Sequence, residues 1–165
     1  MPKNLELKAR IQSLPPVENI AINLPADYKG LIQQRDTYFS VPHGRLKLRE
    51  IKGAEAELIF YERPEAGMER WSLYKIFPTS DPAGLLSVLE AAFPVHGIVE
   101  KERSLYLYKN ARIHLDTVKN LGIFLEFEVV VESSEKQAQQ LMTELRDLFS
   151  ISEISILHCS YIDFL

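Results

Sequence analysis

The chain has 165 residues, of which 46% are hydrophobic and 25% charged, with a formal net charge of −4. That length suits one domain, residues 1–165, with a sizeable core, and the composition excludes a disordered, collagenous or coiled-coil chain. The acidic balance argues against general binding of nucleic acid or of an acidic membrane. The single cysteine, Cys159, excludes an internal disulfide and a cysteine-rich zinc site. The longest apolar run is far short of a membrane span, and the opening MPKNLELKAR lacks the apolar centre of a signal peptide. A soluble, cytoplasmic protein is therefore expected.

In chain order, Asn4–Ile11 alternates charged and apolar residues with period two, the strand signature. A short helix near Pro16–Asn23 is weakly marked. Leu31–Phe39 and Glu57–Arg63 are weaker strand candidates on either side of a strong one, Gly44–Ile51. Glu65-Ala66-Gly67 reads as a turn, and the run that follows, before Ser80, holds one more strand. Asp81-Pro82 is a helix start, an acceptor at the N-cap followed by proline at the first helical position, with Leu85, Leu86, Leu89 and Phe93 on one face. Val99–Tyr106, Arg112–Val118 and Phe124–Val131 alternate again. Ser133 or Ser134 caps a second helix with a stripe of Ala138, Leu141, Met142, Leu145, Leu148 and Phe149. The tail Ile154–Leu165 is apolar enough to pack on the body. Consecutive strands lie too close for parallel crossovers, so the expected class is α+β with an antiparallel sheet.

Within each strand the charges share a register. Glu6, Lys8 and Arg10 oppose Leu5, Leu7, Ala9 and Ile11; Arg45, Lys47 and Arg49 share a face, although Glu50 breaks the alternation. Lys101 and Arg103 share a face, as do Arg112, His114 and Asp116, and Glu126 with Glu128. One reading is a half-solvated sheet whose charges face water. The other is a closed antiparallel barrel with its polar face inward and helices over its apolar outside. The second explains why arginine is prominent and why acids gather on the first and last strong strands. A cavity lined this way suits a polyanion held by guanidinium and ammonium groups, beside carboxylates able to hold Mg²⁺ or Mn²⁺. Cations with such a metal site are the equipment of phosphoryl or nucleotidyl transfer.

The ordered set of motifs resembles the CYTH domain, or triphosphate tunnel metalloenzyme, family, nearest its CyaB-like class IV adenylate cyclase branch. Asn4-Leu5-Glu6-Leu7-Lys8 resembles the family's Glu-x-Glu-x-Lys signature; Asp36-Thr37-Tyr38-Phe39 with Gly44-Arg45-Leu46-Lys47-Leu48-Arg49 resembles its second block. Val99–Arg103 resembles its basic strand, and Arg112–Asp116 with Leu121–Glu128 resembles its final acidic block. The family groups class IV adenylate cyclases, thiamine triphosphatases and inorganic triphosphatases. The resemblance implies an eight-stranded antiparallel tunnel that takes a triphosphate end-on. It implies Glu6, Asp116, Glu126 and Glu128 as ligands of Mg²⁺ or Mn²⁺, and Lys8, Lys47, Arg49, Lys101, Arg103 and Arg112 as phosphate ligands, with Arg45 and Arg63 as weaker additions. Glu6, Lys8, Arg112 and His114 are the candidate catalytic set, His114 as a phosphate ligand or proton relay. Arg10 is expected at the tunnel rim. Two departures stand out: Asn4 occupies the first acid of the signature, and the family's lysine near Leu58–Tyr61 is absent, with Arg63 as its substitute.

The expected activity is metal-dependent hydrolysis of a triphosphate, inorganic, thiamine-linked or nucleoside. The alternatives are cyclisation of ATP to cyclic AMP and pyrophosphate, or binding without turnover. The expected partner is the small-molecule substrate, and a homodimer is left open. His43 and His158 carry no motif, and His96 reads as a loop residue. Cys159 reads as a buried small hydrophobe, and Trp71 and Tyr74 as core in preference to a base-stacking platform.

Overall fold

The computed structural model describes residues 2–63 and 69–165. The 65–67 turn therefore lies outside the described residues. The strands are β1 (Lys3–Ile11), β2 (Asp27–Phe39), β3 (Arg45–Ile51), β4 (Ala56–Glu62), β5 (Arg70–Thr79), β6 (Val95–Tyr108), β7 (Ala111–Val118) and β8 (Gly122–Val130), with a two-residue tail strand β9 (Ile156–Leu157). The helices are α1 (Leu14–Asn23), α2 (Pro82–Ala92) and α3 (Glu135–Leu148). Every strand pairing is antiparallel, in the order β5-β4-β3-β2-β6-β7-β8-β1, and β1 returns to β5, so eight strands close a barrel. The α+β barrel is as expected.

Closure is divided between two segments. β8 pairs with β1 from Asn4 to Ile11, which leaves one free edge on β1. β5 takes that edge from Lys3 to Glu6, and β9 takes it at Lys8 and Ala9. The tail is thus part of the wall. It is tied down by Arg70, whose guanidinium donates to the carbonyls of His158 (2.8 Å) and Cys159 (3.2 Å), and by Arg45 bonded to Asp163 (2.8 Å). Its Ile162 side chain lies over Gly97, where a Cβ would meet Cδ1 at 2.6 Å and make that side chain shift.

The two faces of the sheet are inverted relative to an ordinary half-solvated sheet. The odd-numbered residues of β1, Leu5, Leu7 and Ala9, face outward. There they pack with Ile113, Leu115, Leu125, Phe127 and Val129 beneath Ala138, Leu141, Met142 and Leu145 of α3 and Ala21 of α1. Each such fully buried large side chain contributes roughly 1.5–3 kcal/mol. The α3 cap is as expected, with Ser134 accepting from the Gln137 amide; Leu148, assigned to the stripe, is 39% exposed because its side chain falls past the edge of the contact. Over the other side, Leu89 of α2 packs on Phe39, Leu48 and Ala56, and Asp81 caps the helix by accepting from the Gly84 amide. With helices over the apolar faces, the polar faces turn into the barrel.

One barrel end is filled. Tyr38, Ile59, Tyr61, Val99, Val118 and Phe124 form a buried cluster with Tyr161 and Ile162 of the tail. Three elements differ from the sequence reading. α1 begins two residues before Pro16, with proline tolerated in its first turn. β2 extends back to Asp27 through a bulge between Tyr28 and Gly30. β6 begins at Val95, which places His96 on a strand, because β2 supplies partners beyond Val99.

Candidate active site

The inward face of β2, β3 and β6 carries cations gathered on one acid. Asp36 is fully buried (0% exposed). Arg49 stands directly opposite it and donates Nε to Oδ1 and Nη2 to Oδ2, both at 2.8 Å. Lys47 Nζ reaches Oδ2 at 3.2 Å and Lys101 Nζ at 3.5 Å. Burial alone pushes the Asp36 acid upward, but Arg49, Lys47 and Lys101 outweigh it and hold the carboxyl well below the usual range. Burial and the neighbouring Arg103 push the Lys101 ammonium well down, with Asp36 opposing them. Arg103 forms a bidentate pair with Asp116, both bonds at 2.7 Å, and Tyr161 donates its hydroxyl to Asp116 Oδ2 at 2.8 Å.

The inward face of β1, β7 and β8 carries acids. Cross-strand register sets Glu6 opposite Glu128, and Glu126 opposite both Lys8 and His114. Lys8 Nζ lies 3.1 Å from Glu126 Oε2, and His114 Nδ1 lies 3.0 Å from Glu126 Oε1. Arg112 Nε donates to Glu128 Oε2 at 2.8 Å. Arg63 Nη2 donates to Glu6 Oε2 at 2.6 Å, and its Nη1 to Ser160 Oγ at 2.9 Å. The Glu6 acid is raised by burial and by the charges of Glu128 and Glu126, against the pull of Arg63. Glu126 is held well below the usual range: burial opposes this, but Lys8, the His114 hydrogen bond and Arg103 prevail. Burial and Arg103 depress His114, with Glu126 opposing them. A neutral imidazole bonded to an ionised carboxylate carries its proton on Nδ1 and leaves Nε2 as an acceptor.

These two walls enclose a cavity of about 300 Å³. Among the residues anticipated from sequence, Glu6, Lys8, Lys47, Arg49, Arg63, Lys101, Arg103, Arg112, His114, Glu126 and Glu128 all line it, and so does Asn4. Asp116 is not among its lining residues. It is fully buried with both oxygens engaged by Arg103 and Tyr161, which suits it to orient Arg103 and not to ligate a metal. Arg45 is not among them either, because it reaches Asp163 of the tail. Arg10 stacks on Phe124 beside the filled end and donates to the Leu121 carbonyl at 2.9 Å. Tyr74 faces the cavity, while Trp71 packs against the outer core; Cys159 is only partly buried.

Sequence reading passed over Asp36, Tyr38, Tyr61, Ser160, Tyr161 and Gln34 as site residues. The signal for Asp36 was present: an acid in the middle of a strand, in the register of Gln34 and Tyr38. The tail residues gave none, because their place depends on the fold. A larger groove of about 800 Å³ runs outside, past Arg35, Glu50, Glu100 and Lys119. Its charges are of both signs, Lys119 pairing with Glu100 at 2.8 Å, so it lacks the charge excess of the tunnel.

His114, Glu126 and Glu128 offer ligand atoms within 4.8 Å of one another. Carboxylates with one imidazole, beside open cavity, fit a divalent ion such as Mg²⁺ or Mn²⁺. Glu6 stands next to this set. Asn4, in the amide orientation that satisfies both its ends, accepts from Arg112 Nη2 at 3.3 Å.

A family model, the CYTH domain, matches residues 2–160. The chain belongs to the CYTH domain family. Among solved structures, this CYTH domain is similar to the PH1012 protein of Pyrococcus horikoshii OT3, at 24% identity and a TM-score of 0.89, over 98% of this chain and 99% of that one. It is similar to a candidate adenylate cyclase of Vibrio parahaemolyticus, at 23% identity and a TM-score of 0.81, over 97% and 95% of the two chains. It is also similar to the Schizosaccharomyces pombe RNA triphosphatase Pct1, at 15% identity and a TM-score of 0.50, over 89% and 83%. At these identities the likeness is one of fold. A search of curated protein sequences finds no match. Among the described residues no helix is long and apolar enough to cross a membrane.

Proposed function

We propose that this CYTH domain is a metal-dependent triphosphatase. The observation that carries the reading is the facing of two walls across one cavity: three cations on a single hidden carboxylate opposite a cluster of two glutamates and a histidine, with Glu6 beside it. Lys47, Arg49, Lys101 and Arg103 would hold the phosphate oxygens, with Lys8, Arg63 and Arg112 closing from the acid side. Asp36 neutralises only part of the charge that converges on it, so the tunnel keeps an excess of positive charge for a polyanion. Glu126, Glu128 and His114 would hold Mg²⁺ or Mn²⁺, with Glu6 beside them. When bound, such an ion supplies charge neutralisation on the phosphates and positions a water.

In hydrolysis, water oxygen bonds to the terminal phosphorus and the bridging P–O bond breaks. The electron pair stays on the departing diphosphate, and the water's proton passes to solvent at the open end. The chain's part is positional and electrostatic: fixed guanidinium groups stabilise charge as it shifts onto the departing oxygen without reorganising. The pairs Arg49–Asp36 and Arg103–Asp116 are bidentate, so these two guanidiniums are already oriented before substrate arrives.

Phosphorus NMR with Mg²⁺ or Mn²⁺ tests this, with tripolyphosphate and ATP in separate tubes. Orthophosphate together with pyrophosphate or ADP is the expected result. Cyclic AMP with pyrophosphate would make the protein a cyclase. Unchanged spectra alongside measurable binding would make it a binder, for which Asn4 in place of the signature acid gives a reason.

A further inference from the structure

The lysines and the arginines of the cavity are held differently. On β3 and β6 the lysine stands one inward position nearer the filled end than the arginine, Lys47 before Arg49 and Lys101 before Arg103. On β1, Lys8 lies one such position beyond Glu6 in the same direction. One inward position is two residues, about 7 Å, so the three lysines root at the floor, below Arg49 and Arg103. Each of those two arginines has a carboxylate in bidentate contact, Asp36 or Asp116. Each lysine has a longer carboxylate contact, at 3.1, 3.2 or 3.5 Å, and also lies against a tyrosine ring. Lys47 Nζ is 5.4 Å from the ring centroid of Tyr38 and 5.5 Å from that of Tyr61. Lys8 Nζ is 3.7 Å from the ring centroid of Tyr161, and Lys101 Nζ is 5.2 Å from the same point.

Tyr161 differs from the other two tyrosines. It belongs to the tail, and its ring takes one lysine from each wall. It is 3% exposed, and its ring is fixed twice, by the hydroxyl bond to Asp116 and by Phe124, 4.8 Å away between centroids. Asp116 in turn orients Arg103, so three cations of the cavity take their places from one side chain. A buried ammonium loses hydration, and the negative face of an aromatic ring makes good part of that loss without adding a counter-ion. A further carboxylate there would cancel the charge that a phosphate needs. Lys101 has the greater need of such a seat, because burial and Arg103 both work against its charged form. We propose that Tyr161 is a positioning residue, its ring seating Lys8 and Lys101 for the phosphate that enters the tunnel deepest. This deepens the triphosphate reading and rests on it.

Calorimetry of the whole chain with inorganic tripolyphosphate in metal-free buffer tests the seat without turnover, each variant being checked by circular dichroism and thermal midpoint. Tyr161→Leu removes the ring and keeps an apolar group in the filled end; affinity is expected to fall on the order of ten-fold. Tyr161→Phe keeps the ring and is expected to recover most of that loss. Pentafluorophenylalanine at the same position keeps the shape of Phe and withdraws the negative charge of its face. It is expected to bind as weakly as Tyr161→Leu, and it tests the ring even where Tyr161→Leu does not fold. Asp163→Asn takes the charge from the Arg45 pair that ties the tail and leaves the ring's own contacts in place; wild-type affinity is expected. Affinities that follow the thermal midpoint across all four variants would reduce Tyr161 to holding the tail and overturn the proposal. Binding that neither Tyr161→Leu nor the fluorinated ring weakens would overturn it too, while leaving the triphosphate reading intact. Failure of the wild-type chain to bind tripolyphosphate would overturn that reading and the seat with it.

Discussion

On β2, β3 and β6, Lys47, Arg49 and Lys101 share one carboxylate, and that carboxylate lies outside solvent reach behind them. On β1, β7 and β8 three acids reach the surface of the cavity, and each has a cation of its own: Lys8 for Glu126, Arg63 for Glu6, Arg112 for Glu128, with Arg103 also 3.4 Å from Glu126. The first wall is thus a fixed cationic surface, since its counter-charge cannot be competed away without unfolding the strand that carries it. The second wall is exchangeable. In the proposed function a divalent cation would take the place of lysine and arginine nitrogens around the glutamates and free those nitrogens for phosphate. The same residue types, at three cations to one acid on the first wall and one cation to each acid on the second, suit the first to an anion and the second, in the proposed function, to a cation.

Removing the hidden acid should have the largest effect. Asp36→Ala leaves buried cations uncompensated, and a loss of roughly 3–5 kcal/mol is expected in urea denaturation. On the other wall, Glu126→Ala or Glu128→Ala should keep the fold and abolish metal-dependent turnover, read by phosphate release across a Mg²⁺ titration. Unfolding of either variant, seen by circular dichroism, would mean that these acids are structural counter-ions and that the walls do not differ as described.

Lys47→Ala or Arg49→Ala removes one charge-assisted contact and leaves Asp36 with two partners. Triphosphate binding should weaken about 10- to 100-fold, as read by calorimetry. Acid should also distinguish the walls. Asp36 has a folded pKa below its unfolded value, so it contributes stability above roughly pH 4, and that contribution is lost as pH falls through the folded pKa. In Asp36→Asn the decline of the urea midpoint below pH 4 should be shallower than in the wild type; equal slopes would deny Asp36 its ionised role. The smallest effect is expected at Tyr161→Phe, which loses one hydrogen bond to Asp116, about 1 kcal/mol in thermal denaturation.

Much of the barrel could be read in the sequence because period-two alternation survives wherever one strand face is apolar and the other charged. Leu5, Leu7 and Ala9 against Glu6 and Lys8 declare both faces of β1, and the facing acids of β8 follow by the same rule. The ordered motifs then placed nearly every cavity residue. Asp116 and Arg45 fall outside the cavity lining because alternation gives the face of a residue and not its partners. Asp116 has the inward register, yet Arg103 and Tyr161 occupy it; Arg45 meets a tail residue 118 positions away. Ser160 and Tyr161 were illegible for a related reason. They sit in 3₁₀ and irregular backbone with no period to read, and only closure of β1 by β5 and β9 brings them to the cavity.

Titration of the whole chain with tripolyphosphate by calorimetry, with and without Mg²⁺, tests the two-wall site most directly when repeated on Lys47→Ala and on Glu126→Ala. One site per chain is expected, weakened in Lys47→Ala under both conditions and in Glu126→Ala insensitive to Mg²⁺. Absence of binding to the wild-type chain, or binding that neither substitution changes, would contradict it.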